Sequence, residues 1–225
     1  MSAPDAKRVN ISVGDKHVSG LLQVPARSTA CYVLAHGAGA GMEHPFLGSV
    51  AAALAARRIA TLRYQFLYME AGAKRPDPPK LAHAAVRAAV AQAARLLPGL
   101  PLIAGGKSFG GRMTSQAQAQ SPLSGVRGLA FLGFPLHPAG RPSQSRGDHL
   151  SDVAIPMLFL QGTRDALADL TELEPILAAL GTRATLKRVA DADHSFHVPA
   201  RTGCKDPQVL SEMMDEFAAW AGMLT

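Results

Sequence analysis

One stretch constrains this chain more than any other: Leu102–Ser115, LIAGGKSFGGRMTS, in which a lone serine stands between glycine pairs. Two backbone devices share its letters. Gly106-Lys107-Ser108 is the end of a phosphate-binding loop, G-x-x-x-x-G-K-[ST], while Gly106 to Gly110 is also G-x-S-x-G, the turn that presents a nucleophilic serine. The loop needs a glycine at the position held by Pro101 and four loop residues where Leu102, Ile103 and Ala104 continue an apolar strand. The phosphate loop therefore fails. The turn fits, because an apolar run enters Ser108 and a helical segment leaves it, with Gly105, Gly106, Gly110 and Gly111 clearing space around a strained residue.

Around this point strand and helix patterns alternate. VNISV and HVSGLLQVP on either side of Gly14-Asp15 predict an antiparallel hairpin. ACYVLA, IATLRYQF, LPLIAGG, VRGLAFLGFP, IPMLFLQG and ATLKRVADA predict strands, most of them apolar throughout rather than at every second residue. PFLGSVAAALAARR, KLAHAAVRAAVAQAARLL, the segment from Ser108 to about Gln120, LTELEPILAALG and DPQVLSEMMDEFAAWAGML predict helices. Strands buried on both faces and separated by helices imply an α/β fold: a mostly parallel sheet with helices on both faces and an antiparallel N-terminal hairpin. The one long irregular stretch, LHPAGRPSQSRGDHLSDVA, is too short for a second domain or a lid domain, although it has the length to hang over a site. A single domain over 1–225 is expected.

A serine hydroxyl needs a base to take its proton and an acid to orient that base. In this kind of turn the acid follows a later strand and the histidine follows the last one. Asp165 follows MLFLQG, and His194 follows ATLKRVADAD. Asp165 has a competing use as a helix cap, Asp169 and Glu172 are fallback acids, and His197 competes with His194. The glycine-rich His36-Gly37-Ala38-Gly39 after an early strand offers a second backbone donor for an oxyanion, at Ala38, beside the Phe109 N–H. His36, Gly37, Lys107, Tyr64, Phe66 and His137 are expected to shape a substrate site, with Tyr68 and His149 as further lining residues.

The segments HGAGAGMEHPF, GGKSFGGRMTS, LQGTRDAL and DADHSFHV, in this order, resemble the α/β-hydrolase superfamily, and within it small lidless bacterial hydrolases close to the dienelactone hydrolases. RYQFLYMEAGAKRPDPP is similar to that subgroup's loop after the fourth strand. The resemblance implies an α/β-hydrolase fold without a lid, a Ser108–His194–Asp165 triad, and Ala38 and Phe109 as oxyanion donors. Dienelactone hydrolases proper use cysteine where this chain has Ser108, so that particular activity does not carry over.

The expected function is a serine hydrolase for a small ester or related acyl substrate. The alternative is a non-catalytic interaction or regulatory domain that retains the fold. No metal and no organic cofactor is implied. The net charge of +6 comes from scattered pairs such as Arg57-Arg58 and Lys187-Arg188, and aromatics are only 5%, which speaks against nucleic acid as a partner. Cys31 and Cys204 suggest reduced thiols rather than a disulfide framework. No apolar run approaches the ~20 residues of a membrane span. The first residues lack the apolar core of a signal peptide, so a cytoplasmic protein is expected.

Overall fold

The computed structural model describes residues 5–224; the first four residues and the last, part of the expected 1–225 domain, lie outside the described residues. β1 (Lys7–Val13) and β2 (Lys16–Gln23) form the hairpin. There follow β3 (Ala30–Ala35), α1 (Pro45–Ala56), β4 (Ile59–Tyr64), the single-turn α2 (Leu67–Glu70), α3 (Pro79–Leu96), β5 (Leu102–Lys107) and α4 (Phe109–Gln120). β6 (Val126–Leu132), β7 (Met157–Gly162), α5 (Leu170–Ala179), β8 (Ala184–Val189) and α6 (Asp206–Gly222) complete the chain. The eight strands make one sheet in the order β1-β2-β4-β3-β5-β6-β7-β8, antiparallel from β1 to β4 and parallel from β4 to β8.

Side chains alternate between two cores, as strand geometry requires. Cys31, Val33 and Ala35 of β3 face one cluster with residues of α3, α4 and α5. Ala30, Tyr32 and Leu34 face the other, formed with α1 and α6. Both faces of the sheet are thus covered, which is why its central strands are apolar throughout. Cys31 is buried in β3 and Cys204 exposed, both as free thiols.

Three expectations change in detail. The strand predicted through Phe66 stops at Tyr64, and the chain turns at once into α2, whose four residues are too few to show helical periodicity. The irregular stretch contains a 3-10 turn at Asp148–Asp152, anchored to α4 by His149 and Ser115 and to the β8 side by Arg183, which donates to the Ser151 and Val153 carbonyls. Asp169, one of the fallback acids, caps α5 by accepting from the Thr171 N–H at 2.9 Å.

The strand order reverses between β3 and β5, since β4 lies on one side of β3 and β5 on the other. Crevices at such switch points, beyond the carboxyl ends of the strands, are where open α/β sheets bind ligands. Here the two strand ends are pressed together. A Cβ on Gly106 would lie 2.3 Å from the Ala35 carbonyl oxygen, and one on Gly110 would lie 2.6 Å from that of His36. The obstacles are backbone atoms and cannot swing away. Gly106→Ala is therefore expected to cost on the order of 3 kcal/mol, read as a lower urea midpoint at unchanged denaturant slope.

Candidate active site

Ser108 occupies the joint between β5 and α4 with φ 50° and ψ −116°. For a non-glycine residue this is sparsely populated backbone, held here by the Ser108 N–H donating to the Leu132 carbonyl at 3.2 Å and by the start of α4. The turn leaves the hydroxyl at the carboxyl end of the sheet. Phe109 begins the helix, so its N–H has no carbonyl partner within α4.

The structure brings Ser108, His194 and Asp165 into one chain of hydrogen bonds. His194 Nε2 lies 2.9 Å from Ser108 Oγ, and His194 Nδ1 lies 2.7 Å from Asp165 Oδ2. A carboxylate only accepts, so Nδ1 carries the proton and Nε2 is left to accept from the serine. The Asp165 side chain is fully buried, whereas that of His194 is 24% exposed. Asp165 is held by further donors: the Leu167 N–H at 2.8 Å on Oδ1 and Gln161 Nε2 at 2.6 Å on Oδ2. Gln161 is itself fixed by the Phe134 N–H at 2.8 Å. The competing residues are engaged elsewhere, His197 with Asp206 at 2.8 Å and Glu172 with Gln144 at 2.6 Å.

The loop carrying His194 is shaped by backbone. Asp193 Oδ1 accepts from the N–H groups of Ser195 (2.7 Å) and His197 (3.0 Å). Gly162 lets the Asp165 and His194 loops close on each other, because a Cβ there would sit 2.4 Å from the Ala192 carbonyl. α6 contributes through Asp206, which also accepts from the Val198 N–H at 3.1 Å.

The glycine loop after β3 packs directly against the serine: a Cβ on Gly37 would be 3.8 Å from Ser108 Cβ and 3.6 Å from Lys107 Cγ. Ala38 follows, exposed at the mouth of this crevice. Groups from β4 and the segment after it hold the loop. Tyr68 Oη accepts from the Gly39 N–H at 2.8 Å, Gln65 Oε1 accepts from the Met42 N–H at 2.9 Å, and Arg63 Nη1 donates to the Met42 carbonyl at 3.3 Å.

Several residues expected to touch substrate are instead internal. His36, Tyr64 and Phe66 are buried and present no side-chain surface to a ligand. His36 Nδ1 donates to the Gly37 carbonyl at 2.7 Å and Nε2 accepts from the Phe66 N–H at 3.1 Å, so both ring nitrogens pin the glycine loop to the end of β4. Burial pushes its pKa down to about 4, against a smaller upward pull from the Gly37 carbonyl. Tyr64 packs against α4, with its hydroxyl on Thr114. His137 is likewise buried and serves the acid loop, accepting from the Asp169 N–H at 3.1 Å. Tyr68 is buried, and His149 pairs with Ser115 at 2.7 Å, two turns along α4 from the serine. Of the group, Gly37 and Lys107 lie against Ser108. Arg63, Gln65, Gln161 and Asp193 went unmarked in the sequence, where nothing distinguishes them from ordinary strand-end polar residues.

Chemically, a hydroxyl bonded to an imidazole that is bonded to a buried carboxylate can lose its proton as the oxygen attacks an electrophile. Among the described residues no group of three or more His, Cys, Asp or Glu side chains converges as a metal site requires, and no helix is long and apolar enough to cross a membrane.

The sheet order, the strained serine joint and the Ser–His–Asp chain define the α/β-hydrolase fold. The chain belongs to the alpha/beta hydrolase domain family, whose model matches residues 28–222. Among solved structures it is similar to a dienelactone hydrolase from Anabaena variabilis (23% identity, 99% of each chain, TM-score 0.78). It is similar also to a lidless α/β serine hydrolase from Xanthomonas campestris (21% identity, 95% of each chain, TM-score 0.73). An esterase domain from Rhodothermus marinus matches at 16% identity over 96% of this chain and 98% of that one, with a TM-score of 0.73.

The neutral His36 makes a prediction about acid. Its pKa is lower in the folded chain than the 6.5 of a free imidazole, so the unfolded state binds the extra proton between pH 6.5 and 4. Stability is expected to fall as pH drops through that window, by about 3 kcal/mol from this group. Urea midpoints from pH 7 to pH 4.5 measure the slope, and His36→Gln should flatten it.

Proposed function

We propose that the protein is a serine hydrolase that cleaves a small ester or related acyl substrate through an acyl-enzyme. The observation that carries this reading is the Ser108–His194–Asp165 chain, with contacts of 2.9 and 2.7 Å, set on a strained joint at the switch point of the sheet. His194 Nε2 takes the Ser108 proton as Oγ attacks the acyl carbon, and Asp165 stabilises the imidazolium that forms. The carbonyl oxygen gains the negative charge, which the N–H groups of Phe109 and Ala38 receive; the contact of Gly37 with Ser108 supports this part. The imidazolium then gives its proton to the leaving group. Water, deprotonated by His194, releases the acyl group and restores Ser108.

No domain is inserted between β6 and β7, where the chain makes only loops and one 3-10 turn, and His194 stays partly exposed. Both features support an open site that takes small or exposed acyl groups. The same acyl-transfer chemistry serves esters and thioesters, and it calls for no cofactor.

Ser108→Ala is expected to abolish labelling by a fluorophosphonate probe and to lower p-nitrophenyl acetate hydrolysis by about 10³-fold or more, with the fold intact by circular dichroism. Asp165→Asn should keep the fold and lower kcat by on the order of 10³–10⁴-fold, because the imidazole tautomer is then wrong. A folded wild-type protein that the probe fails to label at Ser108 would overturn the reading in favour of a non-catalytic domain.

A further inference from the structure

Lys107 precedes the serine, and its partly buried side chain runs across the site. Its stem passes Gly37 of the glycine loop, where a Cβ would come within 3.6 Å of Cγ. Its ammonium lies so near Gly133, the residue after β6, that a Cβ there would be 3.0 Å from Nζ. Beyond that gap Nζ donates to the backbone carbonyl of His194 and lies 5.3 Å from the centroid of the Phe196 ring. One side chain therefore touches the glycine loop, the serine joint and the histidine loop.

A methionine would fill much of this channel without a charge to desolvate. The ammonium adds a strong donor at one particular place, the carbonyl of the residue whose ring must reach Ser108. Phe196, which closes over the ammonium, has φ 64°, an uncommon backbone for a bulky side chain. The same ring is buried and stacks on Phe46 at 5.8 Å, so it joins the lysine contact to the core on that face of the sheet. We propose that Lys107 is a positioning residue for the Ser108 site: its charged ammonium, tied to the His194 carbonyl and covered by Phe196, holds the histidine loop at the height that places the imidazole against Ser108. The inference rests on the hydrolase reading and adds to it a requirement for a charge that acts through the histidine loop.

The requirement has a consequence in pH. Burial lowers the Lys107 pKa to about 8, against upward pulls from Asp165 on the acid loop and Asp193 on the histidine loop. The other titratable groups at hand are the His194 imidazole itself and the neutral His36 behind the glycine loop. Above the Lys107 pKa the donor becomes a neutral amine, the tie to the carbonyl weakens, and kcat declines although the serine and imidazole are unchanged.

The test measures kcat and KM for p-nitrophenyl acetate from pH 6 to 10, corrected for spontaneous hydrolysis, in wild type, Lys107→Met and Lys107→Arg. Fluorophosphonate labelling of wild type at Ser108 is established first. The expected result is an alkaline fall in wild-type kcat near pH 8. Lys107→Met should lower kcat by about tenfold with KM within about twofold, abolish the alkaline fall and leave the melting temperature equal or higher. Lys107→Arg, which keeps its proton, should move the fall upward by more than one pH unit. A folded Lys107→Met with wild-type kcat and the same alkaline fall overturns the proposal and leaves the hydrolase reading intact. If the Met variant does not fold, Lys107→Arg decides alone, and an unmoved alkaline fall overturns the proposal. Failure of wild type to label overturns the hydrolase reading itself.

Discussion

The rest of the site depends on the backbone of Ser108. A non-glycine residue at φ 50° costs of order 1–3 kcal/mol and persists only where its surroundings leave no alternative. Here the surroundings are two strand ends that approach to backbone contact because Gly106 and Gly110 have no side chains. Relaxing Ser108 would require β5 and α4 to separate from β3. Two apolar cores, one on each face of the sheet, oppose that separation. The strain is thus held by the whole fold, and the hydroxyl needs no further support to face the crevice.

Around this joint the polar groups divide by the work they do. Ser108 and His194 keep some exposure, while the groups behind them are buried and paired. Asp165 receives Gln161 and the Leu167 N–H besides His194, so its orientation does not rely on the imidazole. His36 and His137 resemble site residues in composition yet act as pegs, each spending its ring nitrogens on backbone groups that fix a loop. Low dielectric around such pegs makes an unpaired nitrogen costly, which gives the loops their definition.

The sequence made the joint and the order of its partners legible because both are written locally. A strand, four glycines and a helix surround Ser108, and an acid and a histidine follow the ends of later strands. Apolar runs separated by helical patterns likewise revealed the sheet. The roles of buried polar residues were not legible. His36, Tyr64 and Phe66 stand beside glycine-rich or strand-end segments, and only the fold shows whether such a side chain turns toward the crevice or into the core. Gln161 and Arg63 escaped notice for the converse reason: they lie inside or at the end of apolar strands, and the backbone groups they hold, at Phe134 and Met42, are distant in sequence. Lys107 was read as a ligand contact, and its tie to a carbonyl 87 positions away could only come from three dimensions.

The anchoring of the histidine loop on α6 has a consequence for how the molecule comes into being. Asp206, in the first turn of that helix, holds both His197 and the Val198 N–H, and the helix docks on α1 and on the sheet face. During synthesis the strand–joint–helix around Ser108 emerges long before α6. Until α6 has been made and docks, the loop bearing His194 lacks the Asp206 contacts and has only the ties within the rest of the chain, such as those of Asp193. Contacts made by a helix distant in sequence from the serine joint therefore complete the loop that brings the imidazole to Ser108.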